Sequence, residues 1–341
     1  MNTRPLAITI CLLSCLPSLS AQLSPVPLPP AAPPILGRLT ERPDPDQVAK
    51  LKSGPELPYK VDPSWPHLPA GMNFGECSGV DLDKKGNVWV FNRGSWPLIE
   101  FDRSGKMIRS FTSQTFRVLS SHGVRVGPDG SLWCVDVQGH VIFKVDPETG
   151  RILMVLGNRQ GVAGNNDAQD AFNQPTNLCF RPNGNFYVSD GYVNARIVEF
   201  TPDGYYVRHW GKKGTEDGQF NLVHDVVIDS KGLVYVADRA NQRVQVFDET
   251  GKFITKWTNI GAPWGLVYVA KENAIYMCDG KYDRVVKLGL DGEVLGQFGS
   301  YGTAPGKFTY VHDITFDPAD GSIYTAEIKG WRVQKWVRQQ P

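Results

Sequence analysis

The sequence has almost no excess of charge, because 36 lysines and arginines stand against 35 aspartates and glutamates and leave a formal net charge of +1. Such a balance gives no hint of a nucleic-acid partner or of an anionic membrane surface as a partner. Beyond residue 19, no apolar run reaches the length of a membrane-spanning helix. We therefore expect no nucleic-acid partner and no membrane span.

Cysteine is also scarce, with six residues and no CxxC pair. Isolated cysteines do not have the spacing of a thiolate zinc cluster, and within strands they are usually small core residues. No disulfide is indicated by their positions. Two of them, Cys11 and Cys15, lie in an N-terminal leader, and the others are Cys77, Cys134, Cys179 and Cys278.

Residues 1–21 have the layout of a secretory signal peptide. Arg4 precedes an apolar run from Leu6 to Leu19, and small residues follow. We expect the protein to be exported, either to a periplasm or to the medium. An alternative is that Cys15 is a lipid-attachment site.

Residues 22–70 form a separate, proline-rich leader, since 13 of these 49 residues are proline. This composition favours a semi-rigid segment without a core of its own. Its end, around Tyr59–Trp65, is able to form one edge strand.

Residues 71–341 are built from six repeats, and the repeats decide the fold class. Each repeat has an apolar strand, a turn with glycine, a second strand ending in a polar residue, and two further strands, as in GVRVGPDGSLWCVD and DVVIDSKGLVYVAD. Repeats spaced by 40 to 54 residues fit one four-stranded blade each. The sequence predicts an all-β, six-bladed β-propeller, which we expect to be a monomer.

The last repeat ends after Val333–Val337 and lacks a fourth strand. An unpaired edge there would leave the ring open. We therefore expect the segment near Lys60–Trp65 to pair with the last repeat and to close the propeller.

One position near the start of the repeat is histidine in blades two, four and six and another residue in the other three blades. Alternate blades lie about 120° apart around a six-bladed ring. Three imidazoles with an open fourth position form a known catalytic zinc arrangement, whereas the alternative is three unrelated histidines that cap strands. His67, His140 and His209 show no such relation. The equivalent positions are Ser78, His122, Thr176, His224, Trp264 and His312.

A second set of residues follows the second strand of the repeats. Arg93 and Arg239 occupy this position in blades one and four, which face each other, and Tyr192 lies in the same layer of blade three. Two guanidinium groups facing a metal suit a substrate that carries a free carboxylate. The alternative is that both arginines pair with blade-end aspartates such as Asp238.

These residues carry a resemblance to a known family. The blades resemble NHL repeats, for example in DGYVNARIVEFTPDGYYVRHWG. More narrowly, about residues 72–337 resemble peptidyl-α-hydroxyglycine α-amidating lyases, through FNRGSW, SHGVRVGPDGSLWCVD, SDGYVNARIVEF, GQFNLVHDVVIDSKG and FTYVHDITF.

The resemblance implies a zinc-dependent cleavage of N-acyl- or peptidyl-α-hydroxyglycine to a primary amide and glyoxylate. It implies that His122, His224 and His312 bind zinc, that Tyr192 is the base, and that Arg93 and Arg239 line the pocket. It also implies a structural calcium, held by the backbone oxygens of Val80 and Val124 and by the carboxylate of Asp313.

The sequence departs from the family pattern around the site. Val193 and Tyr235 stand where the animal enzymes have cysteines, and Tyr310 stands where they have methionine. The proline before each zinc histidine is replaced, by Ser121, Val223 and Val311. These changes concern the peptide-binding surface more than the metal site.

Two other classes of function fit the sequence. One is a non-catalytic, extracytoplasmic propeller that binds a partner. The other is a metal-dependent propeller hydrolase such as a lactonase, although those enzymes surround calcium with carboxylate and amide oxygens. A set of three histidines is softer and favours zinc.

Overall fold

A computed structural model describes residues 45–115, 117–158 and 160–340. The predicted signal peptide, the Cys15 alternative and the first half of the proline-rich leader lie outside these residues. The described leader begins with a four-residue helix, α1 (Pro45–Val48), and then forms strand β1 (Tyr59–Asp62). A short 3₁₀ turn at Ala270–Glu272 is the other helical element among the described residues. In the part of the chain that the structure describes, no helix has the length and apolar character needed to cross a membrane.

The strands form six antiparallel four-stranded sheets, which confirms the predicted six-bladed propeller. The first strands of adjacent blades contact one another around the whole ring, including that of blade six with that of blade one. Blades one to three are formed by β2 (Cys77–Leu82), β3 (Val88–Asn92), β4 (Leu98–Phe101), β5 (Met107–Phe111), β6 (Ser121–Val126), β7 (Leu132–Asp136), β8 (Val141–Val145), β9 (Ile152–Leu156), β10 (Pro175–Phe180), β11 (Phe186–Asp190), β12 (Arg196–Phe200) and β13 (Tyr206–Trp210). Blades four to six are formed by β14 (Val223–Ile228), β15 (Val234–Asp238), β16 (Arg243–Phe247), β17 (Phe253–Thr258), β18 (Pro263–Val269), β19 (Ala274–Asp279), β20 (Arg284–Gly289), β21 (Val294–Phe298), β22 (Val311–Phe316), β23 (Ile323–Glu327) and β24 (Arg332–Arg338), together with β1.

The second strand of every blade is buried along its whole length. Up to the polar residue at their end, these strands are mostly apolar on both faces, because a neighbouring blade covers each face. Between blades four and five, for example, Tyr235 and Ala237 pack with Ile275 and Met277. Each large side chain buried in this way contributes about 1.5–3 kcal/mol to folding.

Strand β1 closes the ring, as the sequence predicted. It pairs antiparallel with β24, with Tyr59 opposite Arg338 and Val61 opposite Trp336. The strand ends before Trp65, whose ring packs instead against Phe101 of blade one and Tyr324 of blade six. The leader therefore stabilises the seam of the propeller both by backbone pairing and by an aromatic contact.

Four blades carry an ion pair where the second strand turns into the third. The carboxylate at the end of the second strand binds the arginine that begins the third, and in each case the carboxylate is fully buried. The pairs are Asp190–Arg196, Asp238–Arg243, Asp279–Arg284 and Glu327–Arg332.

Candidate metal centre

Every first strand contains a β-bulge near its start. In blade four the pairing passes from Val223 opposite Asp238 to Asp225 opposite Ala237, so one extra residue lies between the two pairs. A bulge re-aims side chains, and it is here that the histidine-bearing position occurs. The same irregularity in each blade explains why equivalent positions in the repeats reach the same layer of the ring.

His122, His224 and His312 converge in this layer. Their side chains are 1–3% exposed, and the ring centroids are 4.7–4.8 Å apart. One ligand nitrogen from each lies within 4.8 Å of the others, an arrangement compatible with a metal site. The three histidines therefore share one place in the fold, as their common position in the repeats predicts.

The backbone of the neighbouring blade orients each ring. The Nδ1 atoms of His122, His224 and His312 lie 2.6–2.7 Å from carbonyl oxygens. A carbonyl only accepts, so each Nδ1 is the protonated donor and each neutral ring leaves Nε2 as a free acceptor. This is the outer contact by which proteins fix metal-binding histidines. The accepting carbonyls belong to Thr176, Trp264 and Ser78, the other three positions of the same ring.

Electrostatics also favour neutral imidazoles. Burial lowers the pKa of His122 well below its usual value, and the charges of His312 and Arg93 add to the effect. Burial lowers the pKa of His224 and His312 in the same direction, again with help from nearby cationic groups. Neutral imidazole is the form that binds a metal ion.

Tyr192 lies directly against the histidines. Its Oη is 3.2 Å from Nε2 of His122 and 3.4 Å from Nε2 of His224. The loop that carries it packs tightly on blade four, since a Cβ atom on Gly191 would lie 1.7 Å from the carbonyl oxygen of Val223. A side chain at position 191 would therefore displace the loop that carries Tyr192.

Arg239 joins Tyr192 to an aromatic residue that the sequence did not single out as functional. Its Nη1 donates to Tyr192 Oη at 3.3 Å, and its guanidinium lies 4.1 Å from the centroid of the Trp264 ring. Trp264 also contacts the rings of His224 and His312. Its position in the repeat could have identified Trp264 as a site residue, because tryptophan takes the blade-five position that serine, threonine or histidine takes in the other blades.

Arg93 is held differently from Arg239. It forms an ion pair with Glu76 at 2.5 Å and donates through Nε to the carbonyl oxygen of Ser121 at 3.1 Å. Among the described residues, Arg239 forms no ion pair. The predicted alternative for these arginines is wrong as to its partner, because Asp238 binds Arg243 at 2.7 Å.

The groups implied for calcium do not fit a metal ion. The Val124 carbonyl oxygen and both carboxylate oxygens of Asp313 accept hydrogen bonds from the guanidinium of Arg125 at 2.9–3.0 Å. The backbone N–H of Val80 also donates to Asp313, at 3.0 Å. A divalent cation at this point would compete with a positive charge for the same oxygens.

The three histidines line a small cavity together with Asp313, Asn177 and Trp264. A larger groove lies elsewhere, at the seam where Tyr59, Phe298 and Trp336 meet. We assign the candidate site to the histidine layer because the larger groove contains no comparable set of convergent ligands among its described lining residues.

The fold and this centre define a six-bladed β-propeller with a buried axial histidine site that is compatible with a metal. A model of the NHL repeat matches residues 220–247. NHL repeat-containing protein 3 of Mus musculus is 30% identical, in an alignment that covers 82% of this chain and 84% of that protein. The chain belongs to the NHL-repeat family, and it resembles peptidyl-α-hydroxyglycine α-amidating lyases.

Several relatives carry that second resemblance, and two of them illustrate it. Peptidyl-glycine alpha-amidating monooxygenase B of Xenopus laevis is 31% identical over 321 residues, which cover 82% of this chain and 36% of that protein. The chain thus spans about a third of the length of that relative. The probable peptidyl-alpha-hydroxyglycine alpha-amidating lyase pgal-1 of Caenorhabditis elegans is 30% identical, covering 60% of this chain and 66% of that protein.

Solved structures agree on the fold. A streptogramin B lyase superposes with a TM-score of 0.58 at 15% identity, covering 82% of this chain and 98% of that chain. A gluconolactonase of Xanthomonas campestris superposes with a TM-score of 0.60 at 14% identity, covering 84% and 99%. At such identities the likeness concerns the fold alone.

Proposed function

We propose that this chain is a zinc-dependent lyase that cleaves N-acyl- or peptidyl-α-hydroxyglycine to a primary amide and glyoxylate. The observation that carries the proposal is the contact of the Tyr192 hydroxyl with two histidines of a buried set of three, beside the guanidinium of Arg239. Export through a signal peptide at residues 1–21 belongs to the same proposal.

His122, His224 and His312 would hold the zinc. Nitrogen ligands in a set of three, with each Nδ1 bonded to a carbonyl, suit zinc better than a hard cation such as calcium. Bound there, zinc would supply Lewis-acid polarisation of a substrate oxygen. The buried, neutral rings keep the ligand nitrogens available without first losing a proton.

Tyr192 Oη would act as the base that removes the substrate hydroxyl proton. The electron pair of that O–H bond becomes the second C–O bond of the aldehyde, while the C–N bond breaks and its pair goes to the amide nitrogen. Returning the proton from Tyr192 Oη to this nitrogen completes the primary amide and restores the base. Neither water nor an oxidant is consumed.

Arg239 would serve both the base and the substrate. It donates to Tyr192 Oη at 3.3 Å, which gives the oxygen a positively charged donor while the proton is transferred. Stacking on Trp264 fixes the plane of the guanidinium, and a fixed guanidinium is suited to bidentate recognition of the glycine carboxylate. Arg93, already paired with Glu76, would make the smaller contribution.

The test is an assay of the purified, zinc-loaded protein with a small N-acyl-α-hydroxyglycine, following glyoxylate release. We expect activity that is lost on chelation and restored by zinc. A fully zinc-loaded protein that leaves such substrates untouched would overturn the proposal.

A second candidate function is partner binding without catalysis. The observation that favours it is the match to NHL repeat-containing protein 3, which extends over 82% of this chain and 84% of that protein. An inactive protein with an intact histidine centre would support this candidate. A lactonase-type hydrolase has less support, because the convergent ligands are nitrogens and the nearby oxygens are bonded to Arg125.

A further inference from the structure

Next to the histidine layer lies a set of buried charged groups that the proposed reaction does not use. Asp225 and Asp313 directly follow two of the histidines in sequence and are 0% and 2% exposed. Arg125 follows His122 on strand β6, and 12% of its side chain is exposed. Three different blades, numbers two, four and six, therefore bring charges to one place near the axis.

The guanidinium of Arg125 connects these blades. Nη1 and Nη2 donate to the two carboxylate oxygens of Asp313 at 2.9 and 3.0 Å, as a bidentate pair. Nη2 lies 3.3 Å from Asp225 Oδ2, and Nη1 also donates to the carbonyl oxygen of Val124 at 2.9 Å. One cation thus contacts two carboxylates and a carbonyl.

Backbone N–H groups complete the coordination of the carboxylates. Asp313 accepts from Val80 at 3.0 Å and from Ile314 at 2.9 Å. Asp225 accepts from Leu266 and from Val226, both at 2.8 Å. Every carboxylate oxygen has a backbone donor, and the positive charge that balances the pair comes from Arg125.

Carboxylate and carbonyl oxygens gathered in this way are the ligands that calcium takes in proteins. Arginine presents five donors in a planar fork and stays charged at all relevant pH values, so it is able to satisfy the same oxygens in place of a metal ion. We propose that the guanidinium of Arg125 is the resident cation at the axis of this propeller, and that the folded protein consequently takes up no calcium there. The inference does not depend on the reaction proposed above.

The experiment compares the full-length protein with Arg125→Ser, after both have been stripped of metal and titrated with Ca²⁺ alone. For the unmodified protein we expect no bound calcium by elemental analysis and a Tm that Ca²⁺ shifts by less than about 1 °C. For Arg125→Ser we expect a Tm lower by roughly 5–15 °C, because two buried carboxylates lose their counter-charge. Saturating Ca²⁺ should then raise the Tm of the variant by roughly 5 °C.

The control is Arg151→Ser, which removes the same side chain from an exposed position before β9. Its Tm should equal that of the unmodified protein, and Ca²⁺ should not change it. A stoichiometric calcium in the unmodified protein would overturn the proposal. The proposal would also be overturned if Arg125→Ser is folded and destabilised but its Tm does not rise with Ca²⁺. The freed oxygens would then not form a cation site.

If Arg125→Ser does not fold, Arg125→Lys keeps a positive charge in the same position. We expect it to be less stable than the unmodified protein and still insensitive to Ca²⁺, since an ammonium group repels a second cation. Calcium binding to the lysine variant would contradict the proposal, and the calcium content of the unmodified protein remains an independent check.

Discussion

Nδ1 of His224 lies 2.6 Å from the backbone carbonyl oxygen of Trp264, the residue at the equivalent position of the next blade. The other two histidines of the layer repeat this contact. Histidine and carbonyl acceptor therefore alternate around the six blades, and the Nδ1 side of each ring is oriented by the backbone of the neighbouring blade. Replacing one of these histidines should remove one candidate ligand nitrogen and leave the neighbouring strand in place, because the carbonyl that accepted its hydrogen bond belongs to the backbone of that strand.

The first prediction concerns zinc. The purified protein should contain about one zinc per chain, and His224→Ala should lose it while keeping the propeller folded. Elemental analysis together with circular dichroism measures both properties. His209→Ala is the matched control, since His209 bonds to Tyr206 on the outer strand of blade three and should not affect zinc content. Full retention of zinc by His224→Ala would remove His224 from the ligand set.

The second prediction concerns pH. In the metal-free protein the three buried histidines have lowered pKa values, so the unfolded chain binds more protons once the pH falls below about 6.5. The three histidines therefore leave the free energy of unfolding unchanged above that pH, and they lower it as the pH falls further. Each histidine that stays neutral adds about 1.4 kcal/mol per pH unit to the slope.

Denaturant unfolding of metal-free His224→Gln checks the sign and size of this effect. Between about pH 6 and pH 5, the free energy of unfolding of this variant should fall less steeply than that of the unmodified protein. The two slopes should differ by about 1.4 kcal/mol per pH unit. Buried carboxylates act in the opposite direction, as with Asp279, whose pKa burial raises to about 6. They are common to both proteins and cancel in the comparison, so an equal slope would contradict the prediction.

The repeats and the histidine layer could be predicted because both depend on spacing. Equivalent residues of equivalent strands reach the same layer, and a list of positions is enough to find His122, His224 and His312. The role of Arg125 could not be predicted in this way. A β-bulge in β6 changes which side chains approach the axis, and the partners of Arg125 lie 100 and 188 residues further along the chain.

Trp264 and Glu76 were missed for a related reason. Trp264 stacks on Arg239 and Glu76 pairs with Arg93, and each contact joins residues from different positions of the repeat. A list of equivalent positions does not show which of these side chains touch. The closing strand, by contrast, was predictable, because a repeat that lacks one strand leaves an edge that must pair. Its bounds, Tyr59–Asp62 rather than Lys60–Trp65, and its register against β24 required the structure.

The third prediction concerns the seam. Trp65 is 4% exposed and packs between Phe101 and Tyr324, so Trp65→Ala should cost about 3–5 kcal/mol. This corresponds to a fall in Tm of roughly 6–15 °C, measurable by thermal unfolding. Trp331→Ala is the control, because that side chain is 56% exposed and should cost less than about 0.5 kcal/mol. Equal Tm values for the two variants would show that the aromatic contact of Trp65 does not stabilise the closed ring.

The fourth prediction concerns the base. Tyr192→Phe removes the hydroxyl that contacts two histidines and should lower the turnover rate by roughly 10²–10⁴-fold, while zinc content stays unchanged. Tyr206→Phe removes a hydroxyl from a comparable tyrosine–histidine pair on the outer strand of blade three and should leave the rate unaltered. Unchanged turnover in Tyr192→Phe would keep the lyase reaction but assign the base to another group.

The fifth prediction concerns recognition of the substrate carboxylate. Arg239 stacks on Trp264 and carries a charge without a carboxylate partner among the described residues, whereas Arg93 is paired with Glu76 at 2.5 Å. Arg239→Ala should therefore lower kcat/KM for a free acid by roughly 10–100-fold more than for its methyl ester, the usual range for a charged hydrogen bond.

Arg93→Ala should separate acid from ester less strongly, because Glu76 already offsets part of the charge that the substitution removes. Steady-state kinetics of both variants with a matched acid and ester measure the two ratios, and Arg151→Ala, at an exposed position, supplies the control. Zinc content must be equal in all the proteins, so that a lost ligand is not mistaken for a lost contact. If Arg239→Ala slows the acid and the ester equally, the guanidinium acts through Tyr192 alone, and carboxylate binding must be assigned to another residue.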